Sequence, residues 1–353
     1  MRPLRVLVVD DSAFNRRLIS EILESQEGVT VVGKAADGEE ALRLLGTLEP
    51  DLITLDLEMP RMDGFSFLRF VMARRPTPII VVSSHSAKQN VFRALELGAL
   101  DFVPKPSAAP GEKLGVIREE LLSKVALVRQ LKPAMLDQHP KRTVSAMMRA
   151  LPKTDERPLP AEDTPSRLLV IASSTGGPSA LVELLAWFPS DSQFAILIVQ
   201  HMPPRFTRTF AERLDRLGGV RVTEAADGDR IRAGRAMVCP GGRATEVIRA
   251  AEGWAVRVLA PHADDRYVPS ADRVLATAAQ AAADRTVALV LTGMGDDGMK
   301  GVEAVKAKGG RVYVQSPDDA VVDGMPRSAI RTGSVDHVLP LKLLGEELNR
   351  VLS

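Results

Sequence analysis

Apolar residues in the first third of the chain fall into short runs separated by longer stretches of mixed character. The runs are Leu4–Val9, Val29–Gly33, Asp51–Leu55, Pro78–Val82 and Asp101–Val103. Runs this short, rich in valine, leucine and isoleucine and without polar alternation, predict strands of a parallel sheet buried on both faces. Between them Ser12–Ser25, Gly38–Leu45, Phe65–Arg74 and Lys88–Leu97 carry apolar residues at helical spacing, and a fifth helix is expected from Glu112 to about Leu131. This strand–helix alternation predicts a small doubly wound α/β domain over residues 1–131.

From Lys132 to Pro165 the pattern stops. Pro133, Pro140, Pro152, Pro158, Pro160 and Pro165 are scattered among charges, with one apolar patch at Val144–Leu151. So little apolar surface does not offset the entropy of ordering, which predicts a mobile linker over 132–165. The alternation resumes at Arg167, with strands expected at Leu168–Ala172, Ala195–Val199, Thr286–Leu291 and Arg311–Gln315. Helices are expected at Pro178–Trp187, Arg205–Leu217, Ser270–Ala283, Gly298–Lys308 and Leu341–Val351. Arg235–Leu259 differs: strand-like runs around glycine turns predict a β-hairpin insert. The expected second domain, 166–353, is a Rossmann-like three-layer α/β fold.

Charge narrows the function classes. The chain carries 46 basic and 45 acidic residues, a net charge of +1, so it lacks the excess needed for electrostatic binding to nucleic acid or anionic membrane. Residues 166–353 hold 23 basic and 22 acidic side chains and no basic helix-turn-helix pattern, which argues against a DNA-binding output domain. Cys239 is the single cysteine, which rules out an internal disulfide and fits a reducing compartment. No signal-peptide pattern or membrane-length apolar run is present, so a cytoplasmic protein is expected.

Candidate chemistry in the first domain lies at the strand ends. Asp10 and Asp11 follow the first strand, Asp56 the third, Ser83 ends the fourth and Lys105 follows the fifth. Ligands of an open parallel sheet bind outside the carboxyl ends of its strands. Three carboxylates there repel one another unless a cation intervenes, and hard oxygen donors suit Mg²⁺. With a hydroxyl and an ammonium added, the set is suited to a phosphoryl group on a carboxylate. The segments Val-Val-Asp10-Asp11, Asp51 to Pro60 with Asp63-Gly64, Val-Val-Ser83-Ser84 and Asp101-Phe102-Val-Pro-Lys105-Pro106 resemble the receiver domain of two-component response regulators. That resemblance implies a flavodoxin-like fold and phosphorylation of Asp56 by a sensor histidine kinase. It also implies Mg²⁺ held by Asp10 or Asp11, Asp56 and the Glu58 carbonyl, switch residues Ser83 and Phe102, and Lys105 as the salt-bridge partner.

Three loops in the second domain each follow an apolar strand. Ala172-Ser173-Ser174-Thr175-Gly176-Gly177-Pro178 places hydroxyls and flexible amides before a helix, which suits either a nucleophile with an oxyanion site or a phosphate-binding loop. It lacks a Walker lysine and the full Gly-x-Gly-x-x-Gly spacing. Val199-Gln200-His201-Met202-Pro203-Pro204 supplies a histidine, a candidate base, although a lone histidine is more often structural. Thr292-Gly293-Met294-Gly295-Asp296-Asp297-Gly298 supplies carboxylates. Together these are the Ser, His and Asp of acyl transfer, in a chain order unlike that of α/β-hydrolases.

These motifs, with Gly324-Met325-Pro326, resemble the catalytic domain of chemotaxis protein-glutamate methylesterases. The resemblance implies hydrolysis of γ-glutamyl methyl esters on methyl-accepting chemoreceptors, with glutamine deamidation, and no metal in this half. Carried over, Ser174 is the nucleophile, His201 the base, Asp297 its orienting partner, and Thr175 and Met294 line the oxyanion site. Ser173 beside Ser174, and Asp296 beside Asp297, are the neighbouring candidates for two of these roles.

Overall fold

The computed structural model describes residues 2–84, 88–105, 114–131 and 163–352. Most of the linker expected over 132–165, and the start of the helix expected from Glu112, lie outside the described residues. The chain divides into two compact units, Met1–Lys141 and Arg142–Ser353.

The first unit is a parallel sheet of β1 (Leu4–Val9), β2 (Val29–Ala35), β3 (Leu52–Leu55), β4 (Ile79–Ser83) and β5 (Asp101–Pro104). Its order, β2-β1-β3-β4-β5, is the flavodoxin-like order of a doubly wound sheet. β1, β3, β4 and β5 are buried almost throughout, as their unbroken apolar runs require. β2 continues two residues past the expected end at Gly33. Its register against β1 slips between Val6 and Leu7, so Val32 has no partner opposite it. Ser12, Asp37 and Asp63 cap helices Ala13–Glu24, Gly38–Leu48 and Gly64–Arg74 by accepting hydrogen bonds from backbone amides of the first turn. Gly64 has a packing reason: a Cβ there would lie 2.2 Å from the Asp56 carbonyl oxygen. Glycine lets this helix start hard against the backbone that carries Asp56.

The second unit is a seven-stranded parallel sheet of order β15-β14-β13-β6-β7-β10-β8. The strands are β6 (Leu168–Ser173), β7 (Ala195–Gln200), β8 (Arg221–Glu224), β10 (Arg235–Val238), β13 (Thr286–Val290), β14 (Arg311–Gln315) and β15 (His337–Leu339). The expected hairpin is shorter than its sequence suggested. Arg235–Val238 lies inside the parallel sheet, paired with β7 and β8, and only β11 (Ala244–Arg249) and β12 (Trp254–Leu259) form the antiparallel pair. The turn at Pro240-Gly241-Gly242 ends β10 rather than joining two hairpin strands. β9 (Arg230–Ile231) adds an edge to the hairpin. Buried Trp254 fixes it to the helix Ala271–Ala282, its indole N–H donating to the Ala281 carbonyl. Beyond the expected elements stand β8, β9, β15 and the helix Gly324–Arg331. Residues 163–165, expected to close the linker, pack on this unit: Ala233 N–H donates to the Asp163 carbonyl and Pro165 is buried.

Candidate active site

From β6 the chain builds β7 and β10 to one side of the second sheet, whereas β13 and β14 lie on the other. The order reverses between β6 and β13, the place where an open α/β sheet leaves a crevice outside its carboxyl ends. Ser174 leaves β6, His201 leaves adjacent β7, and the 292–298 loop leaves β13.

Ser173 and Ser174 differ sharply. Ser173 is fully buried and its hydroxyl donates to Gln200 Oε1 at 2.8 Å, whereas Ser174 is half-buried. Gln200 then donates through Nε2 to the carbonyls of Ser174 and His201, each at 3.0 Å. One side chain thereby ties the two loops together, a function that its place in the motif does not disclose. Ser174 N–H donates to the Thr292 carbonyl at 3.1 Å, and Thr292 Oγ1 donates to the Thr175 carbonyl at 3.0 Å, which laces the third loop on. Thr175 is buried and Met294 half-buried in these loops. A Cβ on Gly293 would lie 2.9 Å from that of Ser174 and 2.3 Å from Met325 Sδ. Met325 N–H donates to the Gly293 carbonyl, so the Gly-Met-Pro segment braces this loop from behind.

His201 Nε2 lies 2.7 Å from Asp297 Oδ2. Asp297 is buried and takes three more hydrogen bonds, from Ser270 Oγ (3.1 Å), Ala271 N–H (2.7 Å) and Asp272 N–H (2.9 Å). Burial alone would raise its carboxyl. The His201 partner and the two amides at the helix N-terminus outweigh that and hold it below the ordinary carboxylate range. Asp296 faces elsewhere, accepting from Tyr267 Oη at 3.1 Å and pairing with Arg266 at 3.1 Å. The Tyr267 ring stacks on His201, with centroids 4.9 Å apart and planes 4° from parallel. Sequence reasoning missed Tyr267, Ser270 and Ala271 as site residues; they come from the loop that leads into the helix Ala271–Ala282 and from its N-terminus, remote in sequence from all three motifs. Cys239 is fully buried and burial pushes its thiol up to about 12. A thiol so protonated is inert.

In the first unit, oxygens of Asp10, Asp11 and Asp56 lie within 4.8 Å of one another, with Asp10 and Asp56 buried and Asp11 exposed. Lys105 Nζ pairs with Asp10 at 2.8 Å and Asp56 at 2.6 Å. Burial pushes the Asp56 carboxyl above its ordinary value, and the Asp10 charge adds to this; Lys105 offsets only part. Burial would lower the Lys105 ammonium, but the two carboxylates more than reverse the effect. Three hard oxygen donors at this spacing, one of them facing solvent, fit a small divalent cation such as Mg²⁺, which binds such oxygens at about 2.0–2.1 Å and keeps several waters. Glu58 is exposed and its amide lies 3.4 Å from Asp56 Oδ1. Ser83 is buried, with its carbonyl accepting from Lys105 N–H at 2.7 Å. Phe102 is buried edge-on to Phe92, with the Lys124 ammonium 5.3 Å from its ring centroid.

Comparison with known proteins agrees with both halves. The CheB methylesterase family matches residues 169–348, and the response regulator receiver domain family matches residues 6–112. A protein-glutamate methylesterase/protein-glutamine glutaminase of Geobacter sulfurreducens is 45% identical, covering 99% of this chain and 97% of its own length. Another, from Anaeromyxobacter dehalogenans, is 50% identical over 98% of this chain and 95% of its own. The crystal structure of the Thermotoga maritima CheB methylesterase catalytic domain aligns with a TM-score of 0.51 and 35% identity, covering 53% of this chain and 98% of that one. The chain belongs to the protein-glutamate methylesterase/protein-glutamine glutaminase family, hydrolases that carry a receiver domain ahead of the methylesterase domain.

Proposed function

We propose that this protein hydrolyses γ-glutamyl methyl esters on methyl-accepting chemotaxis receptors, releasing methanol, and deamidates receptor glutamines at the same site, under control of phosphorylation at Asp56. The observation that carries the catalytic part is the 2.7 Å His201–Asp297 pair on loops laced to Ser174. With Nε2–H donated to Asp297, the Nδ1 lone pair of neutral His201 takes the Ser174 proton as Oγ attacks the ester carbonyl. Thr175 and Met294 line the site of the developing oxyanion. His201 returns the proton to the departing methoxide, or to the amine when the substrate is glutamine. It then deprotonates the water that resolves the acyl-enzyme to glutamate. Asp297, held ionised, stabilises the imidazolium in each half-reaction.

In the receiver, Asp56 takes a phosphoryl group from a chemotaxis sensor histidine kinase. Asp10, Asp11, Asp56 and the Glu58 carbonyl would hold Mg²⁺, which supplies charge neutralisation for the carboxylate and phosphoryl oxygens. Lys105 takes a phosphoryl oxygen as partner, and Ser83 and Phe102 report the change. The unphosphorylated receiver restrains the Ser174 site, and the linker ahead of residue 163 permits release. The activity serves adaptation in chemotaxis, in the cytoplasm; no helix among the described residues is long and apolar enough to cross a membrane.

The test is methanol release from methylated receptor membranes with and without acetyl phosphate and Mg²⁺. Release should require Ser174 and accelerate with the phosphodonor. Equal release by wild type and Ser174→Ala would refute the mechanism.

A further inference from the structure

We infer that Tyr267 is a positioning residue for this reaction: its ring sets the plane of the His201 imidazole, and Asp296 anchors that ring. The inference rests on the assignment of His201 as the base. A single hydrogen bond from Nε2 to Asp297 fixes one nitrogen but leaves the imidazole free to turn about that bond. Such turning swings Nδ1 away from Ser174, and misplacement by an ångström costs heavily in rate. The Tyr267 ring, 4.9 Å away and within 4° of parallel, blocks one face of the imidazole and limits that motion.

Tyr267 is itself held. Its hydroxyl donates to Asp296 Oδ1 at 3.1 Å, and Arg266 pairs with the same carboxylate while its guanidinium carbon lies 5.0 Å from the ring centroid. Burial, with Asp296 beside it, holds the phenol above its ordinary value, so it remains a donor. The close approach requires glycine at 295, where a Cβ would fall 2.4 Å from the Tyr267 oxygen. The adjacent carboxylates thus divide the work: Asp297 fixes an imidazole nitrogen, and Asp296 fixes the ring that fixes the imidazole plane.

The experiment uses the full chain and a soluble peptide bearing a glutamate γ-methyl ester. Tyr267→Leu should lower kcat by roughly 10–100-fold with KM within about twofold, and slow fluorophosphonate labelling of Ser174 by a similar factor. Tyr267→Phe, which keeps the stack but loses the Asp296 anchor, should lower kcat only several-fold, as Asp296→Ala does, and so stay well above Tyr267→Leu. Unchanged kcat in a folded Tyr267→Leu protein, or a loss carried by KM alone, overturns the inference. So does a folded Tyr267→Phe protein no better than Tyr267→Leu. Should Tyr267→Leu not fold, Asp296→Ala frees the ring without emptying its place and should lower kcat several-fold; no loss there is also a refutation. Ser174→Ala run in parallel separates the two levels, since full turnover by it would refute the serine mechanism itself.

Discussion

Asp56 and Asp297 occupy equivalent places, each buried at the carboxyl end of a parallel sheet, yet their surroundings differ in kind. Asp297 accepts four hydrogen bonds, two on each oxygen, from His201, Ser270, Ala271 and Asp272. That fills the lone-pair sites of a carboxylate and holds its carboxyl low. Asp56 has Lys105, a long contact to the Glu58 amide and the repulsion of Asp10, and its carboxyl is pushed up. A carboxylate with every lone pair engaged can orient a neighbour but is poorly placed to attack. One that is under-solvated, with lone pairs to spare, can become a nucleophile once a cation offsets its neighbours. The number and sign of partners, more than position in the fold, separates a carboxylate suited to react from one suited to orient a neighbour.

The largest expected effect probes what the Asp297 side of this contrast serves. Ser174→Ala should cut methanol release by about 10⁴-fold or more, leaving only the contribution of binding and the oxyanion site. Asp297→Asn should cost about 10³–10⁴-fold, because an amide disrupts both the histidine tautomer and the amide contacts. It also has a stability signature. A carboxyl whose folded value is depressed stabilises the fold above its unfolded value, near 3.9, and that stability is lost as pH falls through the lower folded value. Chemical denaturation should therefore show wild type losing more stability than Asp297→Asn as pH is lowered from 5 toward 2.

The Asp56 side carries smaller effects. Removing residues 1 to about 160 should give a folded hydrolase about 5–150-fold faster than the unphosphorylated full chain on a soluble ester, the range of ordinary coupling energies. A folded fragment that is no faster would eliminate simple restraint by the receiver. Asp56→Asn should abolish stimulation by acetyl phosphate and leave the basal rate alone; equal stimulation of mutant and wild type would move the phosphosite. The smallest change in rate is expected for Ser173→Ala, which leaves Gln200 Oε1 without its buried donor. It should lower stability by about 1–3 kcal/mol while retaining most of the turnover, read by thermal melting and methanol release together.

The sequence displayed what lies at the ends of the short apolar runs. Ser174, His201 and the Asp296–Asp297 pair each follow such a run, as do Asp10, Asp56 and Lys105, and the strand end is a chemical address that local pattern reveals. The resemblance, not the local pattern, pointed to Ser174 over its neighbour Ser173; to this the structure adds that Ser173 is fully buried and Ser174 half-buried. Tyr267 and Ser270 were not legible, since they lie in a polar stretch from 260 to 270 without periodicity and reach the site through tertiary folding. Likewise β8 and β15 are short and partly exposed, so they lack the continuous apolar signal of central strands. Arg235–Val238 was recognisable as a strand, but its pairing with β7 depends on long-range order rather than on the turn beside it.

Gln200 bears on how replaceable the candidate reacting groups are. Its amide holds the carbonyls of Ser174 and His201, not their side chains, while Met325 holds the backbone of Gly293. The frame is therefore independent of the hydroxyl it presents, and position 174 acts as an interchangeable socket. Ser174→Cys should seat a thiol in the same place with the surrounding loops undisturbed, giving a protein that a cysteine-directed electrophile labels at that residue, while Cys239, fully buried in the core, stays unmodified.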